Sequence, residues 1–352
     1  MKIAQFTDIH WGARNNSLQH LDDCDEFIDW FIQKAIETKC DAIAFLGDWF
    51  ENRSAISVET LYRSQQAARK LNELGVPIFF IIGNHDLYLR SDRKINSTNH
   101  FTEFDNFKMV SSMRSIVDDL GNQILFCPFL FKEEYSQYAD FINEHRYVFG
   151  HFEFKDFVVT GKNKKMEHGP DIAMFNTPKY IFSGHFHKRQ WTDNVIYIGN
   201  TFCTNFGDVD DNKRGLCILD TKTDKVSFID YPKCPRFYKV KLSSLIDGDF
   251  TFQTQSRVHC VVDIEVPYSE IQALKTDLVS GFSLREFTLE DAFTSSQMAN
   301  QIDEDAGDEE LSLANIPEAV EQILKNKLTI INSDIQPERL IELYNKARCL
   351  TV

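Results

Sequence analysis

Three shortages narrow what this 352-residue chain can be. No apolar run approaches the roughly 18 residues that cross a bilayer, which argues against a membrane protein. The opening MKIAQFTDIH holds an apolar stretch too short for a signal peptide and leads directly into polar residues. Eight cysteines (Cys24, Cys40, Cys127, Cys203, Cys217, Cys234, Cys260 and Cys349) include no C-x-x-C pair. Several fall inside strand-like runs, so they read as buried thiols in a reducing compartment, and a cytoplasmic location is expected. Basic residues are also scarce: 38 Lys and Arg against 53 Asp and Glu leave a net charge of -15. That balance argues weakly against a protein that coats nucleic acid. The deficit is uneven, however. Residues 286–310 carry nine acidic side chains and no Lys or Arg, leaving -6 for the rest of the chain. Carboxylates gathered around a cation would lower the effective charge further, so a DNA substrate stays compatible.

What the chain does contain is core. Its composition is 43% hydrophobic and 13% aromatic, with thirty Phe, enough for one large domain plus one or two small ones. Residues 2–7 read as a strand, 18–38 as a helix, 42–46 as a strand, 58–74 as a helix and 78–82 as a strand buried on both faces. This βαβαβ rhythm implies a parallel sheet whose ligands gather at the carboxyl ends of strands. Shorter strands are expected at 107–110, 123–127, 147–150, 156–160, 180–183 and 195–198, with a helix at 132–144 and a hairpin at 215–220 and 225–230. A second sheet packed on the first, with helices outside both, fits this order. Pro232 and Pro235 mark a boundary. Strands near 237–242, 258–266 and 283–289 and a helix near 268–280 then make a small α+β domain. The acidic stretch that follows reads as a linker, and Pro317 and Pro337 each open an amphipathic helix.

Chemistry clusters just beyond the apolar strands. Asp8-Ile9-His10 follows the first, Gly47-Asp48 the second and Gly83-Asn84-His85-Asp86 the third; Gly150-His151 and Gly184-His185-Phe186-His187 follow two later ones. Alone, each fragment could be an ordinary turn, and a single histidine is usually a hydrogen-bonded core residue. Together they can converge on one edge of the sheets. In D-x-H and H-x-H, side chains two apart on extended backbone share a face. Asp, His and Asn donors without Cys suit Mn²⁺, Fe or Zn²⁺ better than a structural thiolate zinc site. Seven donors are too many for one ion and about right for two.

The series D-x-H, G-D, G-N-H-D, G-H and G-H-x-H resembles the calcineurin-like metallophosphoesterase superfamily. GDWFENR, GHFEF, KMEHG, SGHFH, YIGNTFCTNFGD and KRG are similar to the SbcD-type (meiotic recombination) nucleases that process DNA double-strand ends, and most to the shorter versions of T-even-like phages. The likeness covers most of residues 1–230. It implies a four-layer α/β/β/α sandwich over 1–232, a DNA-capping domain over 233–290, an acidic linker over 291–312 and a helical hairpin over 313–352. It implies that Asp8, His10, Asp48 and His187 hold one metal, and that Asp48 bridges to a second completed by Asn84, His151 and His185. Both metals would be Mn²⁺. His85 would face the scissile phosphate, with Asp86 supporting it or serving only the turn. Thr201 departs from the pattern, where relatives commonly carry Pro.

The resemblance further implies exonuclease and endonuclease cleavage of DNA in recombination, repair and replication. An SbcC-type coiled-coil ATPase would bind through residues 313–352, and two nuclease subunits would pair through helices near 57–73 and 90–105. Arg90, Arg93, Lys94, Lys162, Lys164, Lys165, Lys188 and Arg189 flank the clusters as candidate DNA-backbone contacts, with Arg53 and Arg214 as similar candidates. His20, His100, His145 and His259 are expected to be structural, and His168 to shape a loop. The rival readings are a phosphatase or small-molecule phosphodiesterase with the same ligands, and a DNA-end-binding scaffold.

Overall fold

The structure is a computed structural model that describes residues 1–291 except 90, 160–163, 210 and 249. Arg90, Lys162, most of the acidic linker and the expected C-terminal hairpin lie outside the described residues. Met1–Ala292 form one compact unit.

Strands β1 (Lys2–Phe6), β2 (Ala42–Phe45) and β3 (Ile78–Ile81) run parallel, joined by helices Leu18–Thr38 and Val58–Asn72. A hairpin of β4 (Leu87–Leu89) and β5 (Asp92–Asn96) follows, and β6 (Phe107–Val110) then adds a fourth parallel strand beside β3. The second sheet takes β7 (Arg114–Val117), β8 (Gln123–Phe126), β9 (Tyr147–Gly150), β10 (Tyr180–Ser183), β11 (Gln190–Thr192) and β12 (Val195–Tyr197). Within it β8, β9, β10 and β12 are parallel, and β7 and β11 form antiparallel edges. The chain returns to the first sheet through β13 (Gly215–Asp220), antiparallel to β1, and β14 (Lys225–Asp230) at its edge.

The strand pleat sorts the core into layers. On β1, β2 and β3, Phe6, Ile43, Phe45, Ile78 and Phe80 face the two helices. Their alternates Ile3, Ala42, Ala44, Phe79 and Ile81 meet Ile124, Phe126, Phe149 and Phe182 of the other sheet. Phe79 and Phe126 stack across that gap with centroids 3.9 Å apart. The outer face of the second sheet, with Leu125, Val148, Ile181 and Tyr197, packs on helix Lys132–Asn143 through Tyr135 and Ile142. The result is the α/β/β/α sandwich.

Residues 237–291 build their own parallel sheet, β15 (Phe237–Lys241), β16 (Arg257–Val262) and β17 (Glu286–Asp291), with helix Tyr268–Phe282 and a separate apolar cluster. This part is tied to helix Leu18–Thr38 by charge. Buried Asp23 pairs with Arg285 and stands 3.6 Å from Arg257, and Arg14 pairs with Glu286.

Some expectations need correction. Of the strand expected at 156–160, the described residues 156–159 form only an isolated bridge, Val158 to Lys165. The second helix expected for subunit pairing, near 90–105, is a hairpin followed by a 3-10 turn at Asn99–Glu103: Asp92–Asn96 pairs antiparallel with Leu87–Leu89 and carries a single apolar residue, Ile95, too few for a helical stripe. The edge strands β7 and β11 are three or four residues long and mostly exposed, too short and polar to announce themselves. The seven described cysteines are free thiols.

Candidate metal centre

Because β1, β2, β3, β9 and β10 are parallel within their sheets, the loops at their carboxyl ends share one edge, and the polar clusters meet there. Asp8, His10, Asp48 and His151 are all but fully buried. Main-chain hydrogen bonds zip the first two loops together: Asp8 N–H to the Gly47 carbonyl (3.0 Å), His10 N–H to Asp48 (3.3 Å) and Trp11 N–H to Trp49 (2.7 Å). The path is strained. Asp8, His10, Asp48 and His185 have φ of 51°, 52°, 60° and 84°, a region costly for side-chain-bearing residues and concentrated at functional sites. Space is equally tight. A Cβ on Gly47 would lie 2.4 Å from His151 Nδ1, and one on Gly83 would lie 2.2 Å from Asp48 Oδ1.

Three donor groups result among the described residues. His10, Glu51 and His85 form one at the rim; Asp8, His10 and His187 form a second, and Asp48, His151 and His185 a third. Asp48 stands between the second and third, its Oδ2 3.3 Å from His151 Nε2 and 4.0 Å from His10 Nε2. Asn84 turns its amide oxygen to His151 Nε2 (2.9 Å) and His185 Nδ1 (3.0 Å). All seven expected ligands are thus brought together.

Neighbours aim the rings. The Leu46 carbonyl can only accept, so His151 donates from Nδ1 (2.7 Å) and presents Nε2 to Asp48 and Asn84. The Glu51 carboxylate stands 2.8 Å from His10 Nδ1, leaving His10 Nε2 to face His187 Nε2 at 3.1 Å. Two imidazole nitrogens this close need a proton or a cation between their lone pairs, and that requirement fits a metal site. Thr7 donates to Asp8 (2.7 Å), and the His185 N–H reaches the same carboxylate.

The electrostatics tell the same story. Burial pushes the Asp8 carboxyl up, while the charges of His151 and His10 pull it back. At Asp48 burial also opposes ionisation, but the charge and hydrogen bond of His151 prevail and hold it well below the carboxylate range. Burial lowers His10, yet Glu51 and the Asp48 charge outweigh it and raise it to about 9; at His151 the Asp48 carboxylate likewise overcomes burial and gives about 9. Burial and the neighbouring histidine charges drive His185 down to about 3 and His187 well below its usual value. Protons on His10 and His151 thus neutralise buried carboxylates that a divalent cation would neutralise better.

His85 stands at the rim, half-buried. Its main-chain N–H donates to Asp48 Oδ1 (2.8 Å), and its Nδ1 donates to the Glu51 carbonyl (2.8 Å), which fixes the orientation of the ring. Asp86 makes no hydrogen bond to the His85 ring among the described residues. It is fully buried and accepts from the N–H groups of Gly83 (2.9 Å), Asp48 (3.1 Å), Trp49 (3.0 Å) and Phe50 (3.3 Å), stapling the second loop to the third.

Residues 1–189 match the calcineurin-like phosphoesterase family. The chain belongs to that family. This phosphoesterase is 26% identical over 98% of both chains to exonuclease subunit 1 of Enterobacteria phage T4. It is 22% identical to the DNA double-strand break repair protein Mre11 of Methanocaldococcus jannaschii, over 69% of each chain. Among solved structures it is similar to YfcE, a phosphoesterase from E. coli, at 14% identity and a TM-score of 0.35, covering 65% of this chain and 93% of that one.

The basic residues expected near DNA fall into paired and exposed groups. Arg93 is occupied: it bonds the Phe129 carbonyl (2.7 Å) and Glu134 and lies 4.3 Å from the Phe131 ring centroid. Arg189 pairs with Asp230 (2.7 Å) and covers Phe228, and buried Arg214 pairs with Asp208 and Asp211. Lys94, Lys164 and Lys165 are exposed, and Lys188 is half-buried. His20 bonds the His10 carbonyl (2.8 Å), His145 bonds Ser115, His259 bonds Glu290, and His100 packs on Phe101. Sequence reasoning missed Glu51, although it sits three residues past Asp48 inside GDWFENR, and Glu153, 4.0 Å from His185 Nε2.

Proposed function

We propose that this phosphoesterase is a DNA nuclease that works with two divalent metals, Mn²⁺ by preference. The observation that carries the reading is the pair of donor groups joined at Asp48, with His85 beside it. Asp8, His10, Asp48 and His187 would hold one ion, and Asp48, Asn84, His151 and His185 the other. Such ions supply Lewis acidity to a phosphodiester and lower the pKa of water. The chain's own part is orientation. Glu51, Leu46 and Thr7 fix the donors, and His85 Nε2 would contact the scissile phosphate and, with the ring protonated at both nitrogens, pass a proton to the leaving 3′ oxygen.

The named relatives, an exonuclease subunit and a double-strand break repair protein, support DNA as the substrate. Residues 237–291 would act as a cap over the DNA, residues 313–352 would dock an SbcC-type coiled-coil ATPase, and the acidic segment would tether them. Pairing of two subunits through helix Val58–Asn72 is supported by the exposure of Val58 (85%) and Tyr62 (59%) on it. Tyr88, Leu89 and Ile95 are likewise exposed on the β4–β5 hairpin, which stands where the second helix was expected from the sequence.

The test is cleavage of end-labelled linear duplex DNA in Mn²⁺ by the wild type and His85→Ala, beside a small chromogenic phosphodiester. Loss of DNA cleavage with metal still bound supports the mechanism. Turnover of the small ester with DNA left intact, even beside a coiled-coil ATPase, makes the protein a general phosphodiesterase instead.

A further inference from the structure

A cleft of about 920 Å³ opens beside the metal centre, with Asn84, His85 and His185 along one side. It lies at the upper end of the range for ligand pockets, roughly 300–1,000 Å³. Its wall is aromatic. Phe129 and Phe131 are half-exposed in it, with rings edge to face at 6.0 Å, and Tyr135 stands beside them. Phe129 approaches the ligand rings directly, 6.1 Å from His151 and 6.3 Å from His185 between centroids.

This wall is held in place. The Phe129 N–H bonds the Ile82 carbonyl at the end of β3 (2.9 Å). Arg93, fixed by Glu134 and the Phe129 carbonyl, backs the Phe131 ring without lining the cleft. Two cations do line it, Arg53 and Lys132, and among the described residues neither has a carboxylate partner. Glu153 and Glu167 also line it, and their carboxylates disfavour a phosphate beside them. A planar, uncharged ring with a phosphate at each end suits these surroundings. An unpaired nucleobase is such a ring: it stacks on aromatic side chains while its backbone follows cationic ones.

We propose that the cleft receives an unpaired nucleotide adjoining the scissile phosphate. Its base stacks on Phe131 and Phe129, and its distal phosphate meets Arg53 and Lys132. Resting on the nuclease reading, this makes the phosphoesterase an enzyme that opens the terminal base pair of a duplex, or prefers a frayed end, before cutting. Unstacking then costs least where the strand is already single.

The test pairs a missing base with a missing ring in the full-length protein. Oligonucleotides carrying one abasic position, scanned across the cleavage point, are cut in Mn²⁺ by the wild type, Phe131→Leu and Phe131→Tyr. With the wild type, one position next to the cut should lower cleavage about tenfold to a hundredfold, the worth of one base–aromatic stack. Phe131→Leu should lower cleavage of intact DNA by a similar factor but add little on that abasic substrate, and Phe131→Tyr should restore the rate. Turnover of a small chromogenic phosphodiester reports that each variant is folded. Equal losses on intact and abasic DNA, or no abasic effect in the wild type, overturn the pocket while leaving the nuclease intact. A wild type that turns over the small ester and cuts no DNA overturns both.

Discussion

Glu51 acts on His10 with its side chain and on His85 with its main chain, at 2.8 Å in each case. One residue thus aims a metal donor and the group next to it, and a substitution separates the two roles. Glu51→Gln removes the charge beside His10 Nδ1 and leaves the carbonyl on His85 Nδ1. Metal affinity should fall roughly tenfold to a hundredfold, with the rate at saturating metal nearly unchanged. Calorimetric titration with Mn²⁺ alongside turnover measures both. An unchanged affinity would remove Glu51 from the support of His10.

Metal binding should depend steeply on pH. His10 and His151 titrate at about 9 in the folded protein against an ordinary 6.5. Because the folded values are raised, their contribution to metal-free stability is complete below 6.5 and lost as pH rises through about 9. A bound cation displaces those protons, so its affinity should rise across the same window. Thermal melts with chelator and with Mn²⁺ should diverge as pH increases. Parallel curves would contradict the assignment.

Asp86 holds four main-chain N–H groups with no access to solvent. Asp86→Ala strands all of them and should cost at least about 3 kcal/mol in urea denaturation of the metal-free protein. Metal affinity should fall with it, since Asp48 and Gly83 are among the groups released. Asp86→Asn keeps one acceptor oxygen and should lose less.

The attachment of residues 237–291 turns on Asp23. Burial raises its pKa, and the charges of Arg285 and Arg257 pull it back. Asp23→Ala leaves Arg257, 1% exposed, without that partner, a loss of about 3–5 kcal/mol for a broken buried pair. Hydrogen exchange should quicken across 237–291 while β1–β3 stay protected. Uniform protection throughout would show that apolar contacts alone hold this part in place.

Much of this protein is written locally. Apolar runs and helical spacing marked β1, β2, β3 and the helices between them, because a strand buried on both faces or a helix with one apolar stripe leaves a periodic trace. The polar clusters that follow the apolar runs marked the seven candidate donors and His85 for the same reason: each sits where a parallel strand ends. Tertiary structure decided what local pattern does not encode. Asp86 looks like a neighbour of His85 in sequence, but its carboxylate turns inward because four buried N–H groups compete for it. Arg93 and Arg189 look like free cations until Glu134 and Asp230, both more than forty positions away, neutralise them. Glu51 gains its role only when the β1 and β2 loops are zipped together. The aromatic cleft exists only because the loop before helix Lys132–Asn143 folds against the ends of β3 and β9. Periodicity records which face of an element is buried; partners distant in sequence, and the charges they cancel, appear only once the chain has folded.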